Sequence, residues 1–403
     1  MKKLFTPITN GSVTSPQGYF ASGVISGIKK EKAKDVALIL SEVPAEVAAT
    51  YTTNQVKAAP VRVSMQHSKA GRVLGIIANS GNANACTGVV GLKNAMQMTE
   101  TAASVLNAKA KEFLVCSTGR IGINLPMTKV VAGIKKAVKA LKRDGGLDAA
   151  HAIMTSDSKH KSYAIEFEID GKKVRIGGIA KGAGMIHPNM ATMLSFVTTD
   201  AVIDKKSLQR VTEDAVEMTF NRISVDGDTS TNDTVIVLAN GKAGNAPIRA
   251  HHPSRELFRT ALTHVMKVLS RMIVEDGEGI SKVVDVSVKG AASAADAKAA
   301  AQAISTSALV KCSWCGGDPN WGRIMDAIGY SDAKVKEELV EIYFDGLLAV
   351  SNGRATKIPV KRLKKVMSKR NFTITVQLHL GAGEYSMVTT DFTEKYVEFN
   401  KGE

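Results

Sequence analysis

Residues 181–195 read KGAGMIHPNMATMLS, and one threonine in this run has the setting of a nucleophile. Thr192 follows the small residue Ala191. Upstream lie Gly182, Gly184, a His187-Pro188 step and a Pro188-Asn189 step; downstream, residues 193–197 are largely apolar and strand-like. If the chain cuts itself between Ala191 and Thr192, Thr192 becomes a new N-terminus. Its hydroxyl is then the nucleophile and its own α-amine the base. A free α-amine titrates at about 7.7–8.0, close to what a general base needs at neutral pH. The plain alternative is a tight glycine turn leading into a strand, where threonine is common. Other segments decide between the two by supplying the remaining parts of a site.

The first such segment is Ser117-Thr118-Gly119-Arg120-Ile121-Gly122, which follows the apolar run 113–115. Glycine there lets the backbone turn and expose N–H groups that stabilise an oxyanion, or simply makes a strand-to-helix turn. Residues 79–86, NSGNANAC, are dense in small polar side chains that either line a pocket for a zwitterion or satisfy their own backbone. Lys181, beside the expected cut, offers a compact cation for a substrate carboxylate. Glu275, Asp276 and Glu278 close a long amphipathic stretch. Acids are disfavoured at a helix C-terminus, so they point to a task such as holding an ammonium group. A divalent metal is the rival there and at 226–233, DGDTSTND. That loop lacks the twelve-residue calcium pattern with its closing Glu, so no metal is expected. No GxSxG elbow, Walker A loop or dinucleotide fingerprint is present.

These parts need a framework, and the chain has one. At 403 residues with 44% hydrophobic and 23% charged side chains, it can fill a large globular core. Helical periodicity runs over 91–113, 126–143, 204–222, 253–275, 293–310 and 360–370. Strand-like alternation runs over 73–79, 162–169, 173–180, 193–199, 233–239, 283–289, 340–349 and 371–380. Asp170-Gly171 between two alternating runs signals a hairpin. The mixture predicts an α/β (α+β) fold in which helices cover sheets. If the cut occurs, the pieces are residues 1–191 and 192–403, and strands flanking it can still share one sheet.

The formal net charge is +15. Basic residues gather on two helix-like stretches, Lys135 to Arg143 and Lys361 to Arg370. The favoured reading is solvated helix faces, because no nucleic-acid-binding signature accompanies them and aromatics are only 5%. Such a field draws in small carboxylates. No apolar run is long enough to span a membrane, and Leu4-Phe5 is too short for a secretory signal, so a cytoplasmic protein is expected. Of the four cysteines, Cys312 and Cys315 form a CxxC pair. Without a second pair at zinc spacing they read as reduced thiols.

Taken together, ANSGNANACTG (78–88), STGRIG (117–122), MTSDS (154–158), KGAGMIHPNMATML (181–194), SVDGDTSTNDT (224–234), EDGEG (275–279) and GDPNWGRI (317–324) resemble ornithine acetyltransferase, the glutamate N-acetyltransferase of arginine biosynthesis. The likeness extends to TSPQGYFASGV (14–24) and TTNQVKAAPV (52–61). It implies self-cleavage before Thr192 into α and β chains, an α2β2 heterotetramer, and a helix-sheet-sheet-helix layering similar to N-terminal-nucleophile hydrolases with its own topology. It implies ping-pong transfer of acetyl from N-acetylornithine through Thr192 to glutamate, without a cofactor; some members also take acetyl-CoA as donor. By motif, Thr118 and Gly119 form the oxyanion hole, and Thr155, Lys181, Thr192, Glu278 and Asn400 contact substrate. Two departures stand out. Family members commonly end in N-A-D-Y-x-T, whereas here Asn400-Lys401-Gly402-Glu403 lacks the final threonine. Ser313-Trp314-Cys315 replaces a less polar stretch. The alternative from another class is an amidohydrolase with the same N-terminal nucleophile, in which water takes the acyl group.

Overall fold

A computed structural model of the chain describes residues 4–30, 32–187 and 193–401. Ala191 and Thr192 lie outside the described residues. The chain forms two compact units. The first takes in Met1–Gly182, Asn189–Asn221 and Thr229–Ile273; the second takes in Ala183–Pro188, Arg222–Asp228 and Val274–Glu403.

In the first unit the strands are β1 (Thr6–Pro7), β2 (Tyr19–Val24), β3 (Val36–Tyr51), β4 (Val73–Asn82), β5 (Phe113–Arg120), β6 (Lys161–Ile169), β7 (Lys172–Lys181), β8 (Leu194–Thr199) and β9 (Thr234–Ala239). Its helices are α1 (Ala59–Lys69), α2 (Gly88–Leu106), α3 (Met127–Lys139), α4 (Gly146–Ala152), α5 (Lys205–Met218) and α6 (Arg255–Glu275), the last of which leads into the second unit. The strand order is β1-β6-β7-β8-β9-β3-β4-β5, with β2 paired to β3. β3 joins the two halves. Its first part pairs with β2 and β4, its last part pairs with β9, and the register shifts between Leu40 and Ala45, around Pro44. A bulge there lets one long strand serve both halves.

Alternation along the strands sets the layers. Ile76 and Ala78 of β4 and Leu114 and Cys116 of β5 share a core with Ile179, Leu194, Phe196, Ile236 and Leu238 from β7, β8 and β9. The intervening Ile77, Phe113 and Val115 face α1, α2 and α3 through Val63, Met98, Val130 and Ile134. On the far half, α5 packs on β3 and β9, and Leu269 of α6 lies over Gly178 of β7. The first unit is thus helix-sheet-sheet-helix, as the period-2 patterning requires when both faces of a sheet are covered. Each fully buried aliphatic or Phe side chain contributes roughly 1.5–3 kcal/mol. Strands from both sides of the expected cut share this sheet, since β7 pairs antiparallel with β8.

The second unit has β10 (Val283–Ala291), β11 (Glu341–Phe344), β12 (Leu347–Ser351), β13 (Arg354–Ala355), β14 (Asn371–Gln377) and β15 (Gly383–Thr390), ordered β13-β12-β11-β14-β10-β15. Its helices are α7 (Ala294–Thr306), α8 (Ala308–Cys315), α9 (Trp321–Gly329), α10 (Val360–Met367) and α11 (Glu394–Phe399). The alanine-rich run forms α7, which buries Ala297, Ala300, Ala301 and Ile304 in a core shared with Val286, Trp314, Ile342 and Ile374.

Three expected elements differ. The helix over 91–113 ends at Asn107, whose left-handed backbone (φ 52, ψ 46) caps α2, and β5 then starts at Phe113. The helix over 293–310 splits at Ser307, whose side chain caps the start of α8. The strand over 340–349 is a hairpin that turns on Asp345 and Gly346 (φ 46 and 80). Among the described residues no helix is long and apolar enough to cross a membrane.

Candidate active site

β4 and β5 run parallel in register, with Ser80 beside Thr118 and Gly81 beside Gly119. The strand end therefore sets two expected site residues against a neighbouring backbone. Gly119 adopts φ +129, and a Cβ there would sit 2.4 Å from the Gly81 carbonyl carbon. Only glycine fits both the conformation and the approach. Lys181 ends β7, and its ammonium Nζ donates to Thr118 Oγ1 at 3.2 Å. Both side chains are buried. An ammonium donating into a hydroxyl oxygen strengthens that hydroxyl as a donor in turn. A lysine and a threonine so placed, beside a glycine backbone open to solvent, can carry developing negative charge.

Asp157 balances the lysines. Its Oδ1 accepts from Lys161 Nζ at 2.6 Å and from the Gly182 N–H at 2.7 Å, and its Oδ2 accepts from the Thr155 N–H at 2.9 Å. Burial alone would raise this carboxyl; the Lys181 and Lys161 cations and the Gly182 N–H outweigh it and hold it at about 2. The lowered value means that its stabilising effect is present above the ordinary carboxylate range and is lost only as pH falls through about 2. Asp157→Ala leaves Lys161 and Lys181, both buried, without this carboxylate. The expected cost is roughly 3–5 kcal/mol, read as a lower urea midpoint. Thr155 is half-buried and reaches this cluster through its backbone.

The asparagine-rich loop resolves one open reading. Asn79 Nδ2 donates to the Asn82 carbonyl, Asn82 Nδ2 to the Ile123 carbonyl and Asn84 Nδ2 to the Gly91 carbonyl, at 2.9–3.0 Å. These amides hold backbone. Asn79 Oδ1 also accepts from Ser117 Oγ at 2.6 Å, fixing the residue before Thr118.

In the second unit, Glu278 and Asn400 meet. Asn400 caps the end of α11, and its Nδ2 donates to Glu278 Oε2 at 3.2 Å. The Glu278 carboxylate lies against Gly184, where a Cβ would come 2.3 Å from Oε2. Asp226 anchors this neighbourhood. Its Oδ2 accepts from the Met185 N–H at 2.5 Å and from the Tyr396 hydroxyl at 3.1 Å, and its Oδ1 accepts from the Ile186 N–H at 2.9 Å. Burial raises Asp226 above the usual carboxylate range despite these donors. It thereby ties residues 185–186, upstream of the expected cut, to the helix that carries Asn400.

The structure thus brings Thr118, Gly119 and Lys181 together, with Thr155 joined through Asp157, in the first unit. It pairs Glu278 with Asn400 in the second. Ala191 and Thr192 are outside the described residues. Asp157, Asp226 and Asp233 were not singled out by their sequence context, although all three lie inside quoted motifs. Among the described residues no three His, Cys, Asp or Glu side chains converge on a common point. The basic stretches are solvated: Lys361, Arg362, Lys364 and Lys365 are exposed on α10, while Leu363 and Val366 are buried. Cys312 and Cys315 are free and exposed.

Residues 20–402 match the ArgJ family. An arginine biosynthesis bifunctional protein ArgJ from Caldanaerobacter subterraneus subsp. tengcongensis is 45% identical over 397 residues, covering 98% of this chain and 98% of its own. Its counterpart from Geobacter sulfurreducens is 46% identical over 385 residues, 95% of this chain and 98% of its own. Among solved structures, an ornithine acetyltransferase from Mycobacterium tuberculosis, complexed with ornithine, is 42% identical, covers 46% of this chain and 98% of that one, and has a TM-score of 0.43. An arginine biosynthesis bifunctional protein from Bacillus halodurans is 40% identical with the same coverage and a TM-score of 0.44.

Proposed function

We propose, from the premise that this chain belongs to the ArgJ family, that it transfers the acetyl group of N-acetylornithine to glutamate through Thr192 after cutting itself before that residue. The observation that carries this reading is the convergence of Lys181, Thr118 and Gly119 in the sheet where β7 and β8 pair. Lys181 and Leu194 are partners across that pairing.

In the cut, Thr192 Oγ adds to the Ala191 carbonyl carbon, the C–N bond breaks, and the hydroxyl proton passes to the departing nitrogen. Water then hydrolyses the resulting ester, leaving a carboxyl on Ala191 and a free hydroxyl and amine on Thr192. In transfer, the amine takes the Thr192 Oγ proton as Oγ attacks the acetyl carbonyl, and it returns a proton to the leaving ornithine nitrogen. In the second half glutamate's neutral amine attacks the acetyl carbonyl carbon, the bond from that carbon to Thr192 Oγ breaks, and a proton from the glutamate nitrogen passes by way of the Thr192 amine to Oγ, regenerating the hydroxyl. The Thr118 hydroxyl and the Gly119 N–H stabilise the oxyanion in each step. Lys181 holds the α-carboxylate that both substrates share, and Glu278, Asn400 and Thr155 complete the contacts. No cofactor enters the scheme. The proposal extends, on the family resemblance, to acetyl-CoA as an additional donor for glutamate, to an α2β2 assembly and to the cytoplasm.

The test is release of ornithine from N-acetylornithine with and without glutamate. Release that requires glutamate, with N-acetylglutamate formed in equal amount, is the expected result. Release at the same rate without glutamate identifies the amidohydrolase instead.

A further inference from the structure

His151 and His160 stand together at the two ends of one segment of the first unit. His151 lies in the last turn of α4, and His160 directly precedes β6. Between them run the residues that include Thr155 and Asp157. The two ring centroids are 4.6 Å apart, with the planes tilted by 46°. Both residues are exposed, and neither takes part in the proposed transfer. Contact between two exposed histidines gains little by itself, because protonated rings repel one another.

One ring is already set as a ligand. His151 Nδ1 lies 2.8 Å from the Leu147 carbonyl oxygen. A carbonyl only accepts, so Nδ1 carries the proton, and in the neutral ring Nε2 carries the lone pair. A backbone carbonyl on the far nitrogen is the common support of a metal-binding imidazole. His160 is in the right protonation state. Partial burial, then the charges of His151 and Lys161, lower it below the ordinary histidine range, so it is neutral at neutral pH. The Lys161 ammonium is itself neutralised: it is buried and donates to Asp157 Oδ1 at 2.6 Å.

The spacing selects the ion. A metal about 2.1 Å from a ring nitrogen stands roughly 3.2 Å from that ring's centroid. Two centroids 4.6 Å apart then subtend close to a right angle at the metal. A tetrahedral ion such as zinc would spread them to about 5.2 Å. A right angle between two nitrogens belongs to the tetragonal geometry of divalent copper and nickel. Among the described residues no third His, Cys, Asp or Glu joins the pair, so water fills the other positions.

We propose that His151 Nε2 and the His160 imidazole form a two-histidine site for a divalent copper or nickel ion. The bound ion ties the end of α4 to the start of β6 and so closes the segment that includes Thr155 and Asp157. The site lies apart from the transfer chemistry, and its test reads no activity.

The untagged full-length protein is given one equivalent of Cu2+, and electron paramagnetic resonance of the frozen solution reads the nitrogens bound to it. The wild type is expected to show splitting from two nitrogens. His151→Gln and His160→Gln should each show one nitrogen at most and bind Cu2+ about 10²-fold more weakly, the gain that joining two binding groups on one frame supplies. His379→Gln, at an exposed histidine of the second unit that pairs with Glu341, should keep the two-nitrogen spectrum. A one-nitrogen spectrum from the wild type overturns the proposal, and so does a two-nitrogen spectrum that survives either His151→Gln or His160→Gln. Melting gives a second reading. Both side chains are exposed, so without metal the variants should melt with the wild type. With Ni2+ the wild type alone should melt higher; an equal rise in the variants overturns the proposal.

Discussion

Thr192→Ala is expected to purify as one polypeptide of 42.8 kDa, less the CH2O by which threonine exceeds alanine, and to transfer no acetyl group. Alanine has no hydroxyl to add to the Ala191 carbonyl, so no ester forms and the peptide bond stays intact. It also has no oxygen to carry acetyl, so the loss is complete rather than partial. Folding is not at issue. β7 and β8 pair through Lys181 and Leu194 with their own backbone, and Phe196 and Ile179 are buried in the same core of the continuous chain. Intact mass and a glutamate-dependent assay read both effects in one preparation. Two fragments beginning at residue 192 from this variant, or transfer by the uncut chain, would remove Thr192 from the mechanism.

Gly119→Ala should cost about 10²–10³ in kcat, the usual loss for a disabled oxyanion donor. The reason is steric and local. A Cβ at this position meets the Gly81 carbonyl carbon at 2.4 Å, the Asn82 nitrogen at 2.5 Å and the Gly81 Cα at 2.8 Å. All three are backbone atoms of the neighbouring strand, and none can rotate away. The strand end must shift, and the Gly119 N–H and the Thr118 hydroxyl shift with it. The left-handed φ of +129 adds strain of order 1–3 kcal/mol. Gly171→Ala separates strain from displacement. Gly171 has φ +72 in the β6–β7 hairpin, and a Cβ added there would have nothing within 4 Å, so that variant should lose stability and keep kcat. Equal activity in Gly119→Ala and wild type would show that the oxyanion is held elsewhere.

Local sequence determined a good deal of this protein. The Asp170-Gly171 hairpin was legible because the turn needs positive φ at both residues, and they have it (φ 51 and 72). α5 and α6 were legible because their apolar faces recur at helical spacing. β3 was not. Residues 36–51 carry apolar side chains on both faces and a proline, because the strand serves two half-sheets with a bulge between them, and no simple alternation survives that.

The supporting carboxylates were decided only by tertiary structure. Asp157 lies 25 residues from the Gly182 N–H it accepts, Asp226 lies 40 from Ile186, and Asp233 lies 40 from Met193. In the sequence each sits among turn-forming residues, and Asp226 and Asp233 bound the segment whose rival reading was a metal loop. Burial depends on which distant strands close over a side chain, and burial is what converts an ordinary aspartate into an anchor. The chain spells out its turns and helix faces; the folded sheet supplies the charges and N–H groups that surround Thr118, Gly119 and Lys181.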